Sequence, residues 1–453
     1  MILACLSSLD ILKPLPFPGR RIGIALQRRI TYTKNMRIYF HRYNSISETG
    51  ILKAFQSLGF EVYQETTEIT KKAISHEERV DTLATALLTV QKAGTPFDCV
   101  FSVNFFPHIA EVCNRLDTPY LALTVDCPVI EIFSESIALP CCRVFLFDRH
   151  QYELLSAFSP NTVFHLPLAA DPSLLIGLDG TKSADPDING DKAYTPVMAK
   201  EENCICLVGS LYREKSPLYR IKDLLPEHTQ GFIDGVLDAQ EEVYGASFLM
   251  DCLSDTCIAE IRKAAGSIGE NWWPGLSNPI CSEAFLDRYI AAQYFLAPEL
   301  ACRTRVHILN ALAEHFDTML FTASPAKECG ISDKVRVREP VSSYRGMPNV
   351  FSRSAINLQP TLRSIETGLS QRVFDVLMCG GFLMSNYQEE LYDHFTPGKE
   401  LAVYSSIPDL VEQCSYYLSH EDDRRAVADA GCKLVRSRHT WTERIRELFS
   451  ILL

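Results

Sequence analysis

Two spacings of apolar residues alternate along this chain. Short continuous apolar runs are followed by stretches in which apolar residues recur every three or four positions, the signatures of buried strands and amphipathic helices. Residues 37–40 read as a strand, 51–58 as a helix stopped by Gly59, and 60–63 as a second strand. A helix over 74–93, a strand over 98–103, a helix over 108–116 and strands over 119–125, 143–147 and 162–166 continue the series. Such alternation predicts a doubly wound, mostly parallel sheet. Residues 171–203 lose the periodicity and are rich in Asp, Gly, Lys, Ser and Pro, which reads as a linker or insertion. A second series starts at 204–208. It runs through mainly helical text over 218–268, a break at Asn271-Trp272-Trp273-Pro274 and helical text over 282–297 and 305–315. Strands follow over 318–322, 334–337 and 401–404, with closing helices over 408–418, 422–437 and 440–452. Residues 354–386 read as strand, polar loop, helix and strand. The expected fold is α/β: two Rossmann-like doubly wound domains, 36–170 and 204–453, facing across a cleft. Residues 1–35, where an apolar stretch precedes the charges rather than following them, read as an extension outside the core and not as a signal peptide.

In a doubly wound sheet, ligands meet the loops at the carboxyl ends of the strands. Arg42, Asn44, Asn104, Asp126, Asp148 and Arg149 all fall at such ends, although each also suits a turn or a helix cap. In the second series Gly209 follows an apolar strand, with Arg213 and Lys215 close behind, a pattern that lets backbone amides and cations approach an anion. The richest stretch is 354–386. Its loop and helix start gather Arg363, Ser364, Glu366, Thr367, Gly368, Arg372 and Asp375 beside a helix N-terminus. A nucleotide-diphosphate leaving group needs cations or aligned amides. Arg363 or Arg372 could supply the charge, Glu366 could bind sugar hydroxyls, and Asp375 could accept from a ribose. The same residues also suit plainer roles: Glu366 complementing a helix dipole, and Arg372 pairing with Asp375 at i, i+3. His41, His108 and His165 are the histidines near strand ends of the first domain.

Composition removes several classes. The 453 residues carry 44 basic and 56 acidic side chains, a formal charge of −12, which argues against nucleic acid as a partner. Sixteen cysteines without a CxxC pair or zinc spacing read as small apolar side chains in a reducing, cytoplasmic setting. No run reaches the roughly 18 to 20 apolar residues of a membrane span, which leaves only peripheral membrane contact open. GxGxxG and GxSxG are absent. The only paired aspartates, Asp422-Asp423 and Asp185-x-Asp187, lie in a helix start and the linker. No bound metal or other cofactor is therefore expected.

The text NVFSRSAINLQPTLRSIETGLSQRVFDVLMCGGFLMSN, with the following EEL and late strand, resembles the C-terminal module of group 1 glycosyltransferases, in particular the CgeB-like (spore maturation protein) branch. RYNSI at Arg42, FSVNFFPHIAEVCN at Phe101, FLFDRHQYELL at Phe145 and LVGSLYREKS at Leu207 resemble the bacterial domain that partners it. The resemblance spans most of 36–453. It implies a GT-B fold, a nucleotide-diphosphate sugar as donor, hexosyl transfer to a glycan, cell-surface or protein acceptor, no obligatory metal, and retention of configuration. Group 1 enzymes often carry two glutamates with seven residues between them. Here Asp375 stands at the second position, and the first falls on Thr367, beside Glu366. The arginine that usually follows the glycine of the second domain is replaced by Ser210, leaving Arg213 and Lys215 as substitutes. The combined reading places catalysis on Glu366, Arg372 and Asp126. Donor binding falls on Gly209, Arg213, Lys215, Arg363, Ser364, Thr367, Gly368 and Asp375, and the acceptor side on Arg42, Asn44 and Asn104. A sugar-nucleotide epimerase and a non-catalytic glycan- or partner-binding protein are the alternatives.

Overall fold

In a computed structural model, residues 35–71, 73–177, 202–268 and 272–452 are described. The chain builds two six-stranded sheets, and every strand pair in both is parallel. The first contains β1 (Arg37–His41), β2 (Glu61–Glu65), β3 (Cys99–Val103), β4 (Tyr120–Leu123), β5 (Cys142–Leu146) and β6 (Val163–His165), in the order β2-β1-β3-β4-β5-β6. The second contains β7 (Glu202–Val208), β8 (Thr318–Phe321), β9 (Arg336–Arg338), β10 (Ser354–Gln359), β11 (Leu383–Asn386) and β12 (Ala402–Tyr404), in the order β12-β11-β10-β7-β8-β9. Strands β3, β4, β8 and β10 are buried throughout. Helices on both faces leave no polar side to a central parallel strand. The edge strand β9 keeps arginine at both ends, facing water. Strand order reverses between β1 and β3 and again between β7 and β10, the positions at which doubly wound sheets take their ligands.

Local chemistry explains the helix boundaries that matter. Ser75 caps the helix His76–Lys92 by accepting from the Glu78 amide at 3.1 Å. The helix Gln371–Met378 ends at Gly380, whose φ of +75° a side chain would disfavour. The Gly381 amide then reaches back to the Val376 carbonyl at 3.0 Å and the Gly380 amide to Leu377 at 3.1 Å, closing a Schellman turn. Two 3₁₀ turns, Ile130–Phe133 and Glu135–Ala138, and the helix Gly346–Arg353 have no strong period in the sequence and were not expected from it. Of the expected linker, Pro172–Gly177 is a 3₁₀ turn and Glu202 begins β7, while 178–201 lie outside the described residues. So do residues 1–34 of the expected extension.

The cores do not respect the two sheets. One face of the first sheet packs on its own helices and also on the helical text between β7 and β8. Phe133 meets Tyr289 with ring centroids 4.6 Å apart, and the Ile280 amide donates to the Phe133 carbonyl at 2.7 Å. The other face receives Gln371–Met378 and the last helix, Trp441–Ile451, which crosses back from the second sheet. Its entry is fixed by the Trp441 amide on the Ala170 carbonyl at 3.0 Å and the Ala170 amide on the His439 carbonyl at 2.7 Å. Trp441 is 1% exposed. Trp441→Ala is expected to lower stability by about 3–5 kcal/mol, read as a fall in the denaturant midpoint at unchanged slope.

Candidate functional site at the interdomain cleft

On the first domain, the loops after β1, β3 and β4 meet. Asn104, held at φ +58°, donates from Nδ2 to Tyr43 Oη and to Asp126 Oδ2, both at 2.7 Å. Its Oδ1 accepts from the Val125 amide at 3.0 Å, so the side chain is fixed at both ends. Asn104 and Asp126 therefore stand together, with Tyr43 as a third member. Arg42 does not join them. It donates to the buried Glu48 at 3.1 Å and to Gln64 at 2.7 Å. Glu48 also accepts from the amides of Tyr43 and Asn44, at 2.8 Å and 3.2 Å. Arg42 thus shapes the loop, and Asn44 is exposed at its tip with φ +76°.

At the reversal of the second sheet lies a cation absent from the sequence expectations. Arg305, on the helix Ala297–Ala313, donates to the carbonyl oxygens of Ser210, after β7, and Pro360, after β10, the latter at 2.9 Å. Its guanidinium lies 4.7 Å from the centre of the Tyr212 ring and beneath Gly209. Its Nε is buried and finds no hydrogen-bond partner among the described residues. Arg363 is likewise buried, stacked 4.2 Å from the centre of the Tyr244 ring and reaching the Glu241 carbonyl at 3.5 Å. Among the described residues neither arginine forms an ion pair with a carboxylate. Burial pulls the pKa of both downward, with the neighbouring tyrosines opposing it. Arg213 is already engaged, 3.5 Å from Glu299 and 4.3 Å from the centre of the Tyr219 ring. Lys215 lies over Tyr212 at 5.2 Å.

The loop between β10 and Gln371–Met378 docks on the first domain. Ser364 exchanges contacts with Cys127: its carbonyl accepts from Sγ at 2.8 Å, and its hydroxyl donates to the Cys127 carbonyl at 3.3 Å. The Glu366 amide donates to Asp148 Oδ2 at 2.7 Å, and the Thr367 hydroxyl to Asp148 Oδ1 at 2.9 Å. Gly368 must lack a side chain here, because a Cβ would come within 2.8 Å of Asp148 Cα. The Glu366 carboxyl, 13% exposed, lies 3.5 Å from His150 Nε2. Burial pushes its pKa up to about 8, and the charges of Asp148 and Asp251 add to the effect. Glu390, fully buried, closes the seam. It accepts from the Arg149 amide at 2.8 Å, pairs with His165 at 2.9 Å and lies 2.9 Å from Thr367 Oγ1, whose one proton it shares with Asp148.

Asp375 and Arg372 form a separate group, 3.3 Å apart on the same helix. Gln371 donates to the other oxygen of Asp375 at 2.9 Å, and Arg372 lies over Phe351. Burial raises the Asp375 pKa, and Arg372 opposes the shift. No contact joins this pair to Glu366 among the described residues. His41 is taken by Glu65 at 3.2 Å, and burial drives the pKa of His108 down to about 3. No group of three or more His, Cys, Asp or Glu fit to hold a metal occurs among the described residues. No described helix is long and apolar enough to cross a membrane.

Glu366 links the site to stability. An acid whose folded pKa is about 8 against an ordinary 4.5 keeps its proton in the folded chain after the unfolded chain has released it. Its contribution is intact below the unfolded value and lost as pH rises through about 8, at about 1.4 kcal/mol per pH unit. Melting followed from pH 5 to pH 9 should show a decline that Glu366→Gln flattens, leaving the variant the more stable protein at pH 9.

Residues 303–450 match the family described as Glycosyl transferase-like. Among solved structures, a glycosyltransferase from Rickettsia africae ESF-5 aligns over 93% of this chain and 98% of its own, at 8% identity and a TM-score of 0.50. Sucrose-phosphate synthase from Thermosynechococcus elongatus aligns over 92% and 99%, at 11% identity and 0.46. The Anabaena protein Alr3699/HepE, solved with UDP-glucose, aligns over 92% and 99%, at 9% identity and 0.45. A search of curated proteins returns no match. The chain thus has the two-domain α/β fold of GT-B type, and its residues 303–450 are similar to the Glycosyl transferase-like family.

Proposed function

We propose that the protein transfers a hexosyl group from a nucleotide-diphosphate sugar to a hydroxyl of a glycan, cell-surface or protein acceptor, without a metal. The observation that carries this reading is the pair of buried guanidiniums, Arg305 and Arg363, at the reversal of the second sheet. Two buried cations that contact carbonyl oxygens and tyrosine rings and, among the described residues, form no ion pair favour an anionic ligand in a water-poor setting. A diphosphate matches them in charge and in hydrogen-bonding capacity. The glycosyl transferase-like match over 303–450 supports the same conclusion.

On this reading the bond from the anomeric carbon to the diphosphate breaks, and a bond to the acceptor oxygen forms. Arg305 and Arg363 stabilise the charge that grows on the departing diphosphate. Glu366, protonated near neutral pH, donates a hydrogen bond to the donor, and Asp375 receives the ribose hydroxyls. Asp126, oriented by Asn104, takes the acceptor proton. The CgeB-like branch and retention of configuration are the finer parts of the reading and rest on the quoted motifs. The anomeric coupling constant of the product checks the stereochemistry.

Calorimetric titration with uridine, guanosine and thymidine diphosphates tests the donor site. One of them should bind, and Arg363→Met should weaken it at least tenfold, or about 1.4 kcal/mol. Arg372→Ala and Asp375→Ala should each weaken it with the fold intact. If none of the three diphosphates binds, the donor reading fails. Binding without transfer or donor hydrolysis would mark a non-catalytic protein, and release of an altered sugar nucleotide without acceptor would mark an epimerase.

A further inference from the structure

We propose that Asp148, on the first domain, is the positioning residue for Glu366 on the second, so that the acid of the cleft is assembled only where the two domains meet. This inference rests on the donor reading above for the role of Glu366, but its geometry stands apart from that reading. Asp148 is 0% exposed and sits at the carboxyl end of β5. It caps its own helix, Arg149–Ser156, by accepting from the His150 amide at 3.0 Å. A cap needs only one oxygen. The other accepts from the Glu366 amide at 2.7 Å, more than two hundred positions along the chain. The Thr367 hydroxyl adds a third donor at 2.9 Å, and the bare Gly368 lets the loop lie flat on the Asp148 backbone. The backbone on both sides of the Glu366 side chain is therefore set by one carboxylate from the opposite domain.

The same contact delivers the proton's neighbours. His150, the first residue after Arg149 in the helix that Asp148 caps, reaches the Glu366 carboxyl at 3.5 Å and is itself partly open to solvent. The ionisable groups facing Glu366 are Asp148, Asp251, His150 and the Cys127 thiol. Asp148 and Asp251 both favour the protonated acid, but only Asp148 also holds the loop. An asparagine at 148 keeps the shape, presents two N–H donors in place of one oxygen, and cannot accept from all three groups.

The test measures two things on Asp148→Asn. The first is the titration of the Glu366 carboxyl by carbon NMR of glutamate-labelled protein, assigned by its loss in Glu366→Gln. The second is the rate of donor hydrolysis or transfer with the diphosphate-sugar whose nucleotide binds. The proposal expects the Glu366 midpoint to fall by at least one pH unit, and turnover to fall tenfold or more while the donor KM changes less than threefold. Asp251→Asn should lower the midpoint and leave turnover unchanged when both proteins are assayed at a pH below their own Glu366 midpoints, because it removes charge without moving the loop. Thr367→Val should act in the direction of Asp148→Asn more weakly, and it serves if Asp148→Asn does not fold. An unmoved Glu366 midpoint in a folded Asp148→Asn or Thr367→Val protein overturns the proposal, as does equal loss of turnover in Asp251→Asn. If the wild-type protein binds and turns over no nucleotide-diphosphate sugar, the donor reading falls, and the amide resonances of Glu366 and Thr367 decide the positioning: they should shift in Asp148→Asn and stay in place in Asp251→Asn, and unmoved amides in a folded Asp148→Asn overturn it.

Discussion

A carboxylate buried between two domains governs how this chain is put together. Asp148 has lost its water, and an acceptor in that position must be answered by donors. Its own helix supplies one amide, and the second domain supplies the rest through Glu366 and Thr367. Glu390 repeats the arrangement from the other side, an acid of the second domain answered by Arg149 and His165 of the first. Each domain thus buries an acid whose hydrogen bonds are completed by the other. Removing a partner while the domains stay together would leave a buried acceptor under-satisfied, which costs more than a surface ion pair contributes.

Hydrophobic packing reinforces the same junction. The helical text between β7 and β8 belongs by sequence to the second domain, yet it packs on the helices of the first. The final helix does the same on the opposite face. The cleft is therefore bounded by elements that share their cores. This suits a site where buried guanidiniums must stay dry to act strongly on an anion. Arg305 ties the loops after β7 and β10 together through the Ser210 and Pro360 carbonyls.

Much of this was legible in the residues. The alternation of apolar runs and amphipathic stretches reports parallel sheets because a central parallel strand has no polar face, and the two sheets follow from it. Strand-end positions such as Asn104 and Asp126 were also readable, since ligand loops follow strand topology. What a sequence cannot display is the partner of a charge. Arg42 looked like a ligand residue and is committed to Glu48, six positions away. Asp148 looked like a helix cap, which it is, but nothing local reveals the Glu366 amide. Arg305 carried one usable signal: it falls on the apolar stripe of its helix, near Ala301, Ile308, Leu309 and Leu312, where an arginine calls for a partner. The short turns between β4 and β5 were missed because their apolar residues are anchored by tertiary packing rather than by a period.

The helix Trp441–Ile451 has a consequence for how the protein is made. It covers apolar surface on a domain whose strands are synthesised first, between Arg37 and His165. That domain leaves the ribosome with part of its core uncovered, and it stays so through the synthesis of some three hundred further residues. Its completion waits for the last helix, so the order of translation and the order of consolidation run in opposite directions. A chain stopped short of Trp441 would carry every strand of both sheets and still present an open hydrophobic face to chaperones and proteases.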